Sequence, residues 1–458
     1  MLGAFFFEAE LVHGMRRLDL QNNKSTFRVT SSSDGDPHGG GGGKAAMPSD
    51  AELLYEYRDR AATLEMLERM PAHLMAPLTA AAQKLLFDWQ HPSVCTGRKF
   101  LVSKGNEVFA GLGSHVHIST AHVGLALEEG AIFIWSRDVA MPYTDVLTCG
   151  EATQNIECFF DPPTNCTLQD AESAGAEVIL VSHGDAGLKL TNPRQFYHVP
   201  HQFQELWVAA GFPVVVGENT GQQDAVKYWY RLQVAAYLSR FNSKALAIMR
   251  TMRANSTLMR HIRGSNAGVE TQAEAQAEAE AAVVSSDSGS AIRTLPHGTI
   301  SVHIRHGDKH KEMVLVPTMA YLEQAAALVK LHPIGLAPYR IFLSTEDPSA
   351  IDEISKAITE GPVARAKSFS LDWWQVPRDN SNGPDQLAMF ALPKAQLTLI
   401  WWLQLLLALE CDAWVGTRGS NWNRLIDELR CVWVAKCQNI YAEVGDIDRW
   451  ENQAWRRG

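Results

Sequence analysis

Residues 299–329 read TISVHIRHGDKHKEMVLVPTMAYLEQAAALV. The opening Thr299-Ile-Ser-Val-His-Ile304 is a short β-branched run, which predicts a strand. A polar loop follows, and apolar residues at helical spacing then predict a helix through Ala320 to Val329. The rhythm recurs twice downstream. Tyr339-Arg-Ile-Phe-Leu-Ser344 predicts a second strand, and Asp347-Pro348 a helix start, with Asp as N-cap and Pro in the first turn. Asp412-Ala-Trp-Val-Gly416 predicts a third strand that leads through Thr417-Arg-Gly-Ser420 into a helix from Asn421 to Leu429. Upstream, Val116 to Leu127 reads as a helix behind a glycine turn and Ala131-Ile-Phe-Ile-Trp135 as a strand. Strands alternating with helices predict an α/β fold with parallel sheets and ligands at the carboxyl ends of the strands. Two α/β, Rossmann-like units facing each other across a cleft is the economical arrangement.

The chain length of 458 residues fits two such units. Two biased stretches mark their limits. SSSDGDPHGGGGGKAA (31–46) is flexible by composition, and 264–290, which contains TQAEAQAEAEAAVVSSDSGS, has no apolar face to bury. The expected organisation is a flexible segment at 1–47, an N-terminal unit at 48–263, a linker or insertion at 264–293 and a C-terminal unit at 294–458. The net charge of −10 argues against nucleic acid as a partner. The longest apolar run, Leu397 to Leu409, contains Gln404 and is too short for a bilayer core of about 30 Å, so it is expected to be a buried helix. No secretory signal or membrane anchor is legible at the N-terminus. Seven cysteines leave at least one thiol outside any set of internal disulfides, and with no CxxC pair a thiolate zinc site is not expected. Asn165-Cys-Thr and Asn255-Ser-Thr match the N-glycosylation sequon, a weak signal at this length.

The sharpest chemical pattern is His303 to Glu312, HIRHGDKHKE, at a strand end. Guanidinium holds phosphate oxygens bidentately, and charge-assisted hydrogen bonds contribute roughly 1.5–3 kcal/mol each, so this loop suits a leaving diphosphate. The plain alternative is a solvated charged loop; the alternation of His303 and Arg305 with Val302 and Ile304 weighs against it. GTRGSNWNR, Gly416 to Arg424, lies at the next strand-to-helix junction, where free backbone N–H groups and the helix dipole form an anion site. Ordinary capping by Ser420 explains it equally well. Gly111-Leu-Gly113-Ser-His-Val-His117 is weaker: two glycines permit close backbone approach, as any helix start does.

Together these segments resemble the α1,6-fucosyltransferases, glycosyltransferase family 23. HIRHGDK is similar to that family's His-x-Arg-Arg-x-Asp-Lys motif, YRIFLSTEDP (Tyr339 to Pro348) to its second motif, and CDAWVGTRGSNWNR to its third. WYRLQVAAYLSR places Trp229, Gln233, Tyr237, Leu238 and Arg240 at the spacing of the helix before the linker. GLGSHVH matches at Gly111, Gly113 and His117. The likeness runs in order over about 95–440. It implies a GT-B-like fold with the donor site in the C-terminal unit, GDP-fucose as donor, a glycan or glycoprotein acceptor, inversion without a metal or other cofactor, and a Golgi or secretory setting. By the same resemblance Arg305 would bind the β-phosphate and His303 would lie beside the nucleoside. Thr417 matches the third motif, Ser420 would hold phosphate, Asn421 and Arg424 would shape the pocket, Asp308 and Lys309 would organise the catalytic loop, and Glu312 would be the base.

The departures are specific. His306 replaces the motif's second Arg with a group that titrates near neutrality. Gln404 stands where the family has an Asp that reads guanine, Asn421 stands for Gln, and the loop from Lys309 to Glu312 is one residue short. The SH3-like module of the animal enzymes has no counterpart after Trp455. A metal-dependent transferase would need a well-placed Asp-x-Asp; Asp34-Gly-Asp36 and Asp446-Ile-Asp448 fall in expected tails. Two further readings are a GT-B-fold protein that binds sugar or serves as a scaffold without catalysis, and a transferase using another nucleotide sugar. His198, His201 and His261 read as surface or core residues.

Overall fold

The computed structural model describes residues 49–56, 58–104, 111–137, 140–173, 176–182, 199–212, 220–256, 294–311, 313–332, 339–360, 369–376, 378–381, 385, 387 and 392–445. The compositionally biased stretches 31–46 and 264–290 fall outside them, as do Glu312 and both Asp-x-Asp segments.

The N-terminal sheet has three parallel strands, β1 (Lys99–Lys104), β2 (Ala131–Trp135) and β3 (Glu177–Ser182), in the order β2-β1-β3. Its helices include α1 (Thr79–Gln90), α2 (Leu112–Glu128), α3 (Thr220–Leu238) and α4 (Ser243–Ala254). Successive side chains of a strand point to opposite faces. Phe100, Val102, Ile132 and Ile134 accordingly fill one cluster with Cys166 and Ala171, while Leu101, Phe133 and Trp135 join the main core on the other face. Burial on both faces explains why AIFIW is continuously apolar.

The C-terminal sheet has five parallel strands: β4 (Thr299–Ile304), β5 (Tyr339–Thr345), β6 (Phe369–Trp373), β7 (Ala413–Gly416) and β8 (Tyr441–Glu443). Their order is β6-β5-β4-β7-β8. The chain winds outward from β4 to β6 and then restarts on the other side at β7, so the strand order reverses between β4 and β7. That reversal is where an open α/β sheet forms its ligand crevice. The helices of this unit include α5 (Thr318–Leu331), α6 (Pro348–Glu360), α7 (Lys394–Glu410) and α8 (Asn421–Val432). Asp347 caps α6 as expected: its Oδ1 accepts from the Ser349 backbone N–H at 2.9 Å.

One face of this sheet (Ile300, Val302, Ile341, Leu343, Val415) packs on α5 and α6. The other face, with Phe342 and Trp414, joins α7, α8 and the N-terminal helices in the main core. The run Leu397 to Leu409 lies within α7 and is almost wholly buried. Among the described residues no helix is long and apolar enough to cross a membrane. Three disulfides, Cys95–Cys166, Cys149–Cys158 and Cys431–Cys437, leave Cys411 as the buried free thiol.

Candidate functional site

Strands β4 and β7 are hydrogen-bonded neighbours with Val302 opposite Val415, so their carboxyl ends lie side by side. The Asn423 side chain donates to the His303 carbonyl at 3.4 Å, tying α8 to the end of β4. The loops beyond the two strands also meet: a Cβ on Gly419 would lie 2.7 Å from the Met313 sulfur, so the Met313 side chain packs against the Gly419 backbone. The segments carrying Arg305 and Ser420 therefore share one end of one sheet, at its switch point.

Arg305 leaves the end of β4 and lies between two carboxylates, donating to Glu346 through one terminal nitrogen and to Asp308 through the other. Burial works against its charge, but Glu346 and Asp308 prevail and raise its pKa. Glu346 also accepts from the His306 backbone N–H at 2.7 Å. The His306 ring spans Asp347 Oδ2 at 2.7 Å and the Val316 carbonyl at 3.0 Å. Both ring nitrogens are thus engaged, which fixes the ring at the position where the motif has arginine. Asp308 and Lys309 fall in a 3₁₀ turn, Gly307–Lys311, with Lys309 buried. Gly307 adopts φ +45°, and a Cβ there would meet the Arg305 guanidinium, so any other residue would strain the backbone and displace that group.

His303 is buried beneath this loop. Its Nδ1 pairs with the Ser344 hydroxyl at 2.8 Å, and its Nε2 is buried without a hydrogen-bond partner among the described residues. Burial, reinforced by Arg305, lowers its pKa to about 3 and keeps the ring neutral. Its ring centroid lies 6.4 Å from that of Trp422. Gln404 is buried on α7, and its amide donates to the Ile400 carbonyl of the same helix at 3.5 Å.

At the second loop, the Thr417 hydroxyl accepts from the Gly419 N–H at 3.2 Å, and Ser420 is the N-cap of α8, buried but making no side-chain capping bond. Arg424 donates to the Arg418 carbonyl at 2.6 Å and to Asn421 Oδ1 at 3.1 Å. Arg418, which the motif reading passes over, is held by Asp427 at 2.9 Å and Glu443 at 3.1 Å.

The N-terminal unit reaches this helix start through α2. A Cβ on Gly113 would lie 2.9 Å from the Asn421 backbone, so Gly113 lets the two helix starts touch; Gly111 is the exposed N-cap of α2, with open space around it. Asn421 donates to the Ser114 hydroxyl at 2.6 Å and faces His117 Nδ1 at 2.8 Å through its carbonyl oxygen. His117 Nε2 faces Glu428 Oε2 at 2.9 Å, and the other oxygen of Glu428 accepts from Arg231 of α3. Glu428 is fully buried; burial alone would raise its pKa, but Arg231 and His117 together lower it. This His117–Glu428–Arg231 set joins three helices from both units. Glu428 lies beyond the motifs, and its signal was an acidic residue among the buried Leu425, Ile426, Leu429 and Val432; Arg231 lies within WYRLQVAAYLSR but is not among its matched positions. The residues singled out by spacing on α3 and just after it serve packing: Trp229 donates to the Pro77 carbonyl at 2.6 Å, Gln233 to Thr79 at 2.9 Å, and Arg240, beyond the end of α3, stacks over Phe87 and Tyr237.

No protein-family model matches the chain, and no curated protein sequence matches it. Among solved structures it is similar to NodZ α-1,6-fucosyltransferase co-crystallised with GDP, at 13% identity over 72% of this chain and 92% of that one, with TM-score 0.31. It is similar to POFUT1 in complex with GDP-fucose at 11% identity over 77% of this chain and 99% of that one, with TM-score 0.34. For a mutant of Arabidopsis thaliana FUT1 in complex with GDP the values are 10%, 83%, 84% and 0.37. Identities and TM-scores this low transfer no residue role, and the function rests on the chain's own site.

Proposed function

We propose that this chain is an inverting glycosyltransferase that moves fucose from GDP-fucose to a hydroxyl of a glycan or glycoprotein, without a metal or other cofactor. The observation that carries the proposal is the adjacency, at the switch point of the C-terminal sheet, of the Arg305 loop and the Ser420 start of α8. A helix N-terminus beside a guanidinium suits a diphosphate. Ser420, whose hydroxyl is not spent on capping, supplies a further donor beside the helix dipole. Arg305 engages phosphate by exchanging Glu346 or Asp308 for it, and the carboxylate contacts hold the guanidinium in place beforehand.

In the reaction, Glu312 takes the proton from the acceptor hydroxyl as that oxygen attacks the sugar carbon, and the bond to the diphosphate breaks. Arg305, Lys309 and the Ser420 turn stabilise the charge on the leaving group. A donor placed where charge develops contributes about 3–4 kcal/mol. The neutral His303 ring, whose Nε2 has no partner among the described residues, is the group that would meet the nucleoside. The three disulfides support an oxidising, secretory setting.

Transfer of labelled fucose from GDP-fucose to a glycan panel, with and without EDTA, tests the reading: product in both arms supports it, and product only without EDTA refutes metal independence. A sugar-binding or scaffold reading is favoured by one observation, the neutralisation of Arg305 by two carboxylates. Thermal shifts with GDP, UDP and ADP separate the two. Selective stabilisation by GDP supports the transferase, selectivity for UDP or ADP points to another nucleotide sugar, and no shift supports the scaffold.

A further inference from the structure

Asn165 lies in the sequon Asn165-Cys166-Thr167, in an exposed position. Three features of the fold bear on it. First, the chain closes three disulfides, the habit of proteins that mature in an oxidising secretory compartment, where N-glycosylation also takes place. Second, the Asn165 carboxamide donates one of its two amide hydrogens to the Pro92 carbonyl at 3.1 Å. A second hydrogen is left for a glycan to replace, so attachment does not by itself require this bond to break. Third, Asn165 packs on the connection from α1 into β1, beside the Cys95–Cys166 disulfide, and so at the amino end of β1. The candidate site faces the carboxyl end of that sheet, where α2 meets α8. Six residues of β1 at about 3.3 Å each separate the two ends by roughly 17–20 Å, leaving room for a large substituent away from the cleft.

We propose that Asn165 carries an N-linked glycan, a modification independent of the chain's own catalytic function. In the transfer, the Asn165 amide nitrogen forms a bond to the first sugar carbon of a lipid-diphosphate-linked oligosaccharide, the lipid diphosphate leaves, and the amide proton passes to solvent or base. The local contacts also set the order of events. In the folded chain Thr167 donates to Asp170 in a capping box and Cys166 is tied to Cys95, so both sides of the sequon are engaged. The glycan is therefore added to the nascent chain, before the Cys95–Cys166 bridge closes.

The test is to express the full chain behind an added secretion signal in eukaryotic cells, collect the secreted protein, reduce and digest it, and map the Asn165 peptide by mass before and after peptide N-glycosidase treatment. The expected result is a glycan-bearing peptide whose Asn165 the enzyme converts to aspartate, and its absence from Asn165→Gln. Recovery of the Asn165 peptide wholly unmodified from secreted, disulfide-closed protein overturns the proposal. The order of addition is read separately: Cys95→Ser, which leaves the sequon open, is expected to raise occupancy at Asn165, and lower or equal occupancy refutes it. Because the readout is peptide mass, it stands or falls apart from any transferase activity.

Discussion

Glu428→Gln isolates the charge that joins the two units. The side chain is fully buried, with Arg231 on one oxygen and His117 on the other at 2.9 Å. Removing one partner of a buried pair leaves the other charge uncompensated, which costs about 3–5 kcal/mol. Glutamine keeps the volume and one acceptor, so the expected loss lies at the lower end, about 3 kcal/mol. That is a large share of a total stability of about 5–15 kcal/mol. The assay is urea denaturation of the wild type, Glu428→Gln, Arg231→Gln and the double variant, arranged as a double-mutant cycle. The double variant is expected to be less destabilised than the sum of the singles by more than about 1 kcal/mol, because neither charge is then left alone. The pH dependence has a definite sign. The folded carboxyl lies below its ordinary value of 4.5, so its contribution is present above that pH and is lost as pH falls through the folded value. Glu428→Gln should lack this acid-sensitive part. A coupling within about 0.5 kcal/mol of zero would refute the assignment of the set as an inter-unit tie.

Arg305→Ala is expected to lower fucose transfer by about 100-fold or more, matching loss of one charge-stabilising donor, while circular dichroism stays native; near-normal turnover would remove Arg305 from the mechanism. Gly113→Ala forces a Cβ to within 2.9 Å of the Asn421 backbone, so the two helix starts must move apart. Lower thermal stability and a raised KM for the donor are expected, and unchanged values of both would refute the close packing. His303, His122 and His91 are held neutral mainly by burial, at about 3, 4 and 4. Below about 6.5 the unfolded chain takes up protons that the folded chain refuses, so stability is full above that pH and falls as pH drops towards 4. His303→Asn should flatten this part of the Tm–pH curve, and an unchanged slope would contradict the burial assignment.

The elements legible in the sequence were those whose local chemistry agrees with their place in the fold. TISVHI is β-branched and lies at the sheet's centre, and the capping bond of Asp347 runs to Ser349, two residues along. FSLDW, the strand Phe369–Trp373, has no β-branched residue and depends on pairing with Tyr339–Leu343, aided by the Arg340–Asp372 ion pair. Glu177–Ser182 was overlooked although its composition is strand-like; it is an edge strand with Val178 and Leu180 exposed. At the candidate site the loops were legible because their charges cluster in sequence. Arg305's nearer partner, Asp308, lies in the same loop, but Glu346, which also binds it, follows another strand and was not legible as its partner. Gly113 signalled close backbone approach, but its neighbour in the fold, Asn421, is remote in the chain.

The main core has a consequence for motion. Phe342 and Trp414 of the C-terminal sheet share it with Leu101 and Phe133 of the N-terminal sheet, through α7 and α8. Swinging the halves apart as rigid lids would tear that shared interior open, at about 25 cal/mol for each Å² of apolar surface wetted. The two sheets are therefore expected to unfold together, as one cooperative unit with a single transition.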